Sequence, residues 1–342
     1  MPINPDLLQL LEGTTIPDEQ KHGIRMEAIF MPDARSRRDK LYLVDPQRQP
    51  RFVHYTSADA AISIINRKRV WMRSTTSMVD YREVQHGYEM LAAFFQTPEK
   101  LALQVAVDSL FEGAFEEAVK AFDAWWNDTR FGTYIASLSE HDEKEDINGR
   151  LSMWRAFGSG SVGPKVAIVL RPPTFSRGLN ALKLWFSPVS YIYPGEGVKV
   201  FDEVRANVVE QAEYLRGRGR EAIVNQLFSM LLGAVTCIKH EGFEEEREWR
   251  AIYAPQRDAS SLMEHSIKVV GGVPQTVWQL PLDSRVSEEL ADIDLATMFD
   301  RIIIGPSQFH AAIGEAFRHE LQAIGVPDAQ KKIFASLIPL RS

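Results

Sequence analysis

Hydrophobic positions along this chain alternate between two periods, and the changes of period mark its elements. Over residues 84–127 the apolar side chains recur at helical spacing: Leu91, Phe94 and Phe95, then Leu101, Val105 and Leu110, then Phe115, Val119, Phe122 and Trp126. That spacing lays them along one face of two or three helices. A second helical stretch runs over about 201–240. Short runs rich in β-branched and aromatic residues read as strands at 51–55, 70–73, 132–139, 165–170, 184–193, 247–253, 301–304 and 333–338. Residues 267–270 and 277–280 alternate around the turn 271–274, which predicts a hairpin. Thr56 and Ser57 can cap a helix over 58–67, because a hydroxyl accepts from the free backbone N–H groups of a first turn. Further helices are expected at 151–157 and 308–324, the first preceded by an acidic, mobile loop over 140–146. Residues 1–50, with proline and the cluster Arg35, Arg37, Arg38 and Lys40, read as an irregular lead-in with one short helix.

Short strands interrupted by two helical insertions predict an α+β protein rather than a doubly wound parallel sheet. The expected arrangement is the lead-in followed by a single domain over 51–342, with insertions near 84–127 and 201–240. There is neither an internal repeat nor a low-complexity segment.

Composition narrows the classes without naming a function. The 342 residues are 45% hydrophobic and 25% charged, enough to bury a sizeable core. A net charge of −7 argues against coating nucleic acid through bulk electrostatics, although it leaves a local basic groove open. The single cysteine, Cys237, excludes a disulfide framework and a multi-cysteine zinc site, and its apolar surroundings fit a buried thiol. No window approaches the ~20 apolar residues of a spanning helix, and no signal-like N-terminus is present. The expectation is a cytoplasmic protein that does not engage a membrane.

Four segments combine polar side chains with strand or helix contexts: residues 52–57 (Phe-Val-His-Tyr-Thr-Ser), 136–140 (Ala-Ser-Leu-Ser-Glu), 153–158 (Met-Trp-Arg-Ala-Phe-Gly) and 244–250 (Glu-Glu-Glu-Arg-Glu-Trp-Arg). A fifth, Ile303-Ile304-Gly305-Pro306, ends a strand. As an ordered set, the five resemble a family of bacterial domains of unknown function, DUF2971, over roughly residues 50–340. Their order also resembles that of the ADP-ribosyltransferase fold, which implies a split, bent β-core and NAD as substrate. In that fold a His-Tyr or similar pair on the first core strand binds NAD, a serine-bearing strand lies beside it, and a glutamate on a later strand completes the site.

Carried onto these residues, the resemblance makes Glu248 the carboxylate that stabilises a ribose cation, a charge that catalysis must meet as nicotinamide departs. Glu246, two residues earlier on the strand, would share its face and orient or deprotonate the acceptor. His54 would hold the other ribose, Tyr55 or a later aromatic would stack on nicotinamide, Ser137 and Ser139 would line the pocket, and Arg155 would meet the pyrophosphate through its planar fork. The acceptor is unidentified, a protein or a nucleic acid, and a toxin or phage-defence effector is a natural role for such an enzyme.

Structural readings stand beside each of these. His54 can hydrogen-bond a strand end; Tyr55 alternates with His54 on its strand and so can be core. Ser137 and Ser139 can pair with a neighbouring strand, and Met153 and Trp154 suit packing. Glu246, Glu248, Arg250 and Arg155 can form an ion-pair network on a non-catalytic binding or regulatory module. A nuclease using His54 and Glu248 as acid and base, independent of NAD, is a third class. Metal sites and other cofactors find no pattern: there is no HExxH, no GxxxxGK[ST], no strand-led glycine fingerprint and no GxSxG elbow.

Overall fold

The computed structural model describes residues 17–42, 49–75, 81–156, 163–173, 176–193 and 196–339. The chain forms two compact units: the first takes residues 1–44, 79–131 and 188–244, the second 45–78, 132–187 and 245–342. Among the described residues the strands are β1 (Phe52–Ser57), β2 (Arg69–Ser74), β3 (Tyr134–Glu140), β4 (Lys165–Leu170), β5 (Trp185–Pro188), β6 (Ser190–Tyr191), β7 (Ile238–Lys239), β8 (Glu248–Tyr253), β9 (Glu264–Val270), β10 (Val273–Pro281), β11 (Phe299–Ile304) and β12 (Ile333–Ala335). The chain is α+β, as its periodicity predicts.

The first unit is helical, apart from the small parallel pair β6–β7. The region 84–127 forms three helices, Tyr81–Phe94, Pro98–Asp108 and Ala114–Gly132; the second stretch forms Gly197–Glu210, Ala212–Arg218 and Arg220–Thr236. Their apolar faces meet through stacked rings, Phe94 on Phe201 at 3.9 Å between centroids. The lead-in differs from its expected irregularity, because residues 18–42 hold two helices, Asp18–Phe30 and Pro32–Tyr42. Two members of the basic cluster are neutralised locally: Arg35 pairs with Asp39 and Glu27, and Arg38 with Glu27. Residues 1–16 and 43–48 of the lead-in lie outside the described residues.

The second unit is built on a ten-stranded sheet in the order β12-β11-β4-β1-β3-β2-β10-β9, with β8 on the other edge of β3 and β5 beyond β8. The sheet forks at β3. One end of β3 pairs with β1 (Val53 opposite Ser139), and its other end pairs with β2 (Arg73 opposite Ile135), both on the same edge. Between these ends, Ala136 to Leu138 have no strand partner on that edge, while the opposite edge pairs with β8 along its length. The helix Ala58–Arg67 links β1 to β2, capped by Ser57 Oγ accepting from Ala60 N–H.

Each face of the sheet carries its own core. One face packs Met72, Ile168, Leu170, Tyr253, Leu280 and their neighbours against the helices Ala58–Arg67 and His310–Ala323. The other carries Val53, Tyr55, Met153, Trp154, Ala167, Val169 and Ile303. Three of the five sequence motifs meet in this smaller cluster. Tyr55 meets Trp154 edge to face at 4.8 Å. Gly305 passes so close to the Trp154 ring and the Lys165 carbonyl that a Cβ would stand 3.0 Å from each. Much of the five-motif set therefore serves packing.

The acidic loop expected to be mobile is ordered. Residues Glu143–Glu145 form a 3₁₀ turn closed by a reciprocal capping box between Asp142 and Glu145. Its charge is met by four arginines: Arg150 Nε donates to Glu145 Oε1 at 3.1 Å, Arg247 pairs with Asp142 and Glu145, and Arg51 and Arg301 pair with Asp146.

Candidate functional site

The fork in the sheet creates an unmet backbone acceptor, and His54 meets it. In β1, His54 lies just past the point where the strand parts from β3, and its Nδ1 bonds the Ser137 carbonyl at 3.0 Å. A carbonyl only accepts, so Nδ1 carries the proton and Nε2 presents a lone pair. Burial holds the imidazole below its ordinary range, while the carbonyl bond pulls it partly back up. The ring is therefore neutral at pH 7. Nε2 has no hydrogen-bond partner among the described residues.

His54 also lines a cavity of about 90 Å³ behind the fork, with Ala136, Leu138, Ile168, Phe186 and Ala251 among its walls. The lining is almost wholly apolar, His54 and Ser137 being its polar members. An apolar cavity of ~150 Å³ takes a benzene; this one is smaller and accommodates no dinucleotide.

Glu248 opens β8 and lies on the other face. Phe52 and Trp249 meet at 5.2 Å between ring centroids, which puts Phe52, His54 and Trp249 on one side of the sheet. Side chains alternate along a strand, so Glu248 and Arg250, flanking Trp249, project from the opposite side with Ser137 and Ser139. There Ser137 Oγ donates to Glu248 Oε1 at 2.5 Å, and Arg250 donates to both carboxylate oxygens, Nε at 2.8 Å and Nη2 at 3.1 Å. Only 5% of Glu248 and 3% of Arg250 is exposed. Ser139 stands opposite Glu248 in the ladder and is buried.

The expected constellation is thus only partly assembled. His54, Ser137 and Glu248 do lie on the adjacent strands β1, β3 and β8, joined in series through Ser137, but His54 and Glu248 do not open into one cleft. That separation also removes the acid–base pair of the nuclease reading. Tyr55 is core, since alternation turns it away from His54. Its hydroxyl accepts from Arg150 N–H at 2.9 Å, and burial pushes its pKa up to about 12. Glu246 is not on the strand: it ends a 3₁₀ turn, and Arg247, with φ 45°, intervenes before β8, so strand alternation does not pair it with Glu248. Arg155 is exposed on the helix Leu151–Ala156, whose buried side is Met153 and Trp154, and of the expected ion-pair network the structure shows the pair of Glu248 with Arg250.

One organising residue escaped the sequence reading. Buried Arg150 donates to the carbonyls of Glu140, Glu245 and Glu246 and to Glu145, tying the end of β3 to the approach to β8. The signal for it was the acidic run 142–146, which needs buried cations if it is to be ordered. No group of three or more His, Cys, Asp or Glu among the described residues is arranged to hold a metal ion. No helix among them is long and apolar enough to cross a membrane.

No curated protein and no solved structure matches the chain. Residues 153–251, from the Met-Trp-Arg helix to β8, match the model of the family described as Protein of unknown function (DUF2971).

Proposed function

We propose that the second unit is a non-catalytic binding module that seats a small apolar group bearing one hydrogen-bond donor, with His54 Nε2 as the acceptor. The observation that carries this reading is a neutral imidazole, fixed in one tautomer by the Ser137 carbonyl, on the wall of an otherwise apolar cavity. Such a site orients its ligand through one polar contact and draws affinity from apolar burial. The Glu248–Arg250 pair is structural in this reading, because both charges are consumed by each other. Ligand-observed NMR with butyramide, pyrazole and nicotinamide tests it. The expected result is binding of the smaller donors that weakens in His54→Gln, which keeps a donor for the Ser137 carbonyl but removes the imidazole acceptor. Absence of binding by all three probes overturns the reading.

A second reading, ADP-ribosyl transfer from NAD to a protein or nucleic-acid acceptor, draws support from the Ser137–Glu248 hydrogen bond and from the adjacency of the three motif strands. It places the substrate on the Glu248 face, without His54, and requires Arg250 to yield the carboxylate to the ribose. Its test is NAD itself: a ligand that binds only the folded state raises the unfolding temperature by mass action. Absence of both stabilisation and NAD cleavage across protein and nucleic-acid acceptors ends this reading and leaves the first intact.

A further inference from the structure

The sheet of the second unit ends on β9, a seven-residue strand with no buried residue. Its partner β10 reveals which way its backbone faces. Pro274 stands opposite Val269 and has no N–H, so this pair is a non-hydrogen-bonded one. The closing pair, Val270 and Val273, joins through Gly271 and Gly272, whose φ values of 59° and 82° suit a two-residue hairpin turn. By alternation, His265, Ile267 and Val269 direct their N–H and C=O groups away from β10, to the open edge. Ile267 and Val269 are also 65% and 67% exposed. A flat edge with apolar side chains is what folded proteins ordinarily blunt or cover.

We infer that this edge pairs with the β9 edge of a second copy of the chain, antiparallel and centred on Ser266. The choice of occupant and register rests on charge. An antiparallel pair about Ser266 sets His265 opposite Ile267, so that the outward backbone groups meet. It also sets Glu264 opposite Lys268 twice, in the non-hydrogen-bonded positions where side chains come closest. Centring on Ile267 brings Val269 into the ladder as well, opposite His265, but leaves Glu264 opposite Val270 and Lys268 opposite Ser266, so that no charge pair forms. The strand is thus complementary to itself, as a two-fold interface requires. Glu264 meets Arg69 and Lys268 lies over Trp71 within the chain, and both contacts sit on the face that the new pairs extend.

Sedimentation velocity over a concentration series tests the pairing on the full chain. Wild-type protein is expected to show a monomer–dimer equilibrium. Glu264→Lys or Lys268→Glu alone, by setting like charges opposite each other twice, should weaken it by roughly tenfold. The double reversal Glu264→Lys/Lys268→Glu should restore it, although it does not restore the exposed contact with Arg69. Ile267→Pro removes an outward N–H without touching the β10 ladder and should abolish the dimer while circular dichroism is unchanged. A protein that stays monomeric at all concentrations overturns the inference, as does a dimer indifferent to Ile267→Pro. A double reversal no better than either single change overturns the register.

Discussion

Ser137 Oγ donates to Glu248 Oε1 at 2.5 Å, across the ladder between β3 and β8, and the same residue's carbonyl holds His54 across the fork. One serine thus links two faces of the sheet, and removing its partners has different consequences on each.

On the Glu248 face the charge is the issue. Glu248→Gln removes the carboxylate that pairs with buried Arg250, and breaking a buried pair this way costs about 3–5 kcal/mol. Ser137→Ala removes one hydrogen bond to a charged group and should cost about 1.5–3 kcal/mol. Urea unfolding of both variants measures this. A Glu248→Gln variant of wild-type stability would show that the carboxylate is held for chemistry rather than for structure.

Tyr55→Phe deletes the acceptor of the Arg150 N–H while keeping the ring against Trp154. It should lower stability by about 1–3 kcal/mol and leave ligand binding at the cavity unchanged. Loss of ligand binding without loss of stability would return Tyr55 to the site.

Gly305→Ala should destabilise by about 1–3 kcal/mol, because the added methyl meets both the Trp154 ring and the Lys165 carbonyl. Trp154→Leu in the same background relieves one of the two contacts. The double variant should therefore lose less than the two single losses combined, which a thermodynamic cycle from denaturant curves reads directly.

His54 and His141 are both held below the ordinary histidine range, chiefly by burial. Each therefore binds a proton more readily in the unfolded chain, and stability must fall as pH drops below about 6.5 towards each lowered folded value. Asp142 and Asp300 act in the same direction at lower pH. Burial alone would raise them, but Arg247 for the first, and Arg301 with Arg171 for the second, hold them below the carboxylate range. Unfolding free energy between pH 7 and 5 should thus slope upward with pH, and the slope should shrink in His54→Gln. An unchanged slope in that variant would assign the whole effect to His141 and the carboxylates.

Ala251→Ile grows into the cavity wall that His54 shares. It should block small ligands while the fold persists, and the two readouts are NMR binding and circular dichroism on one sample. Binding that survives the substitution would place the ligand elsewhere.

Periodicity revealed most strands and both helical regions, because a helix or strand buries a stripe whose spacing is local. Ser57 capping its helix was legible for the same reason. What the sequence could not show was the fork: that β1 and β2 share one edge of β3 depends on pairings across scores of residues, and it decides which way His54 faces. Tyr55 and Glu246 were misplaced by related causes. The first was read from its motif against its own alternation, and the second by extending a strand through Arg247, whose left-handed backbone ends it. The acidic loop looked mobile because its arginine counterions, Arg51, Arg150, Arg247 and Arg301, lie outside the run they neutralise.

The central place of β3 also sets an order of events during synthesis. β1 and β2 precede it, so one edge can pair as soon as β3 emerges, but β8, which covers the other edge, follows roughly 110 residues later. At ~5–20 residues per second, the second edge of a nascent β3 stays open for roughly 5–20 s, with Ser137 and Ser139 beside it and their later partners still inside the ribosome. Over that interval the unpaired edge is a template for pairing with other chains, and faster translation through residues 141–248 shortens the exposure.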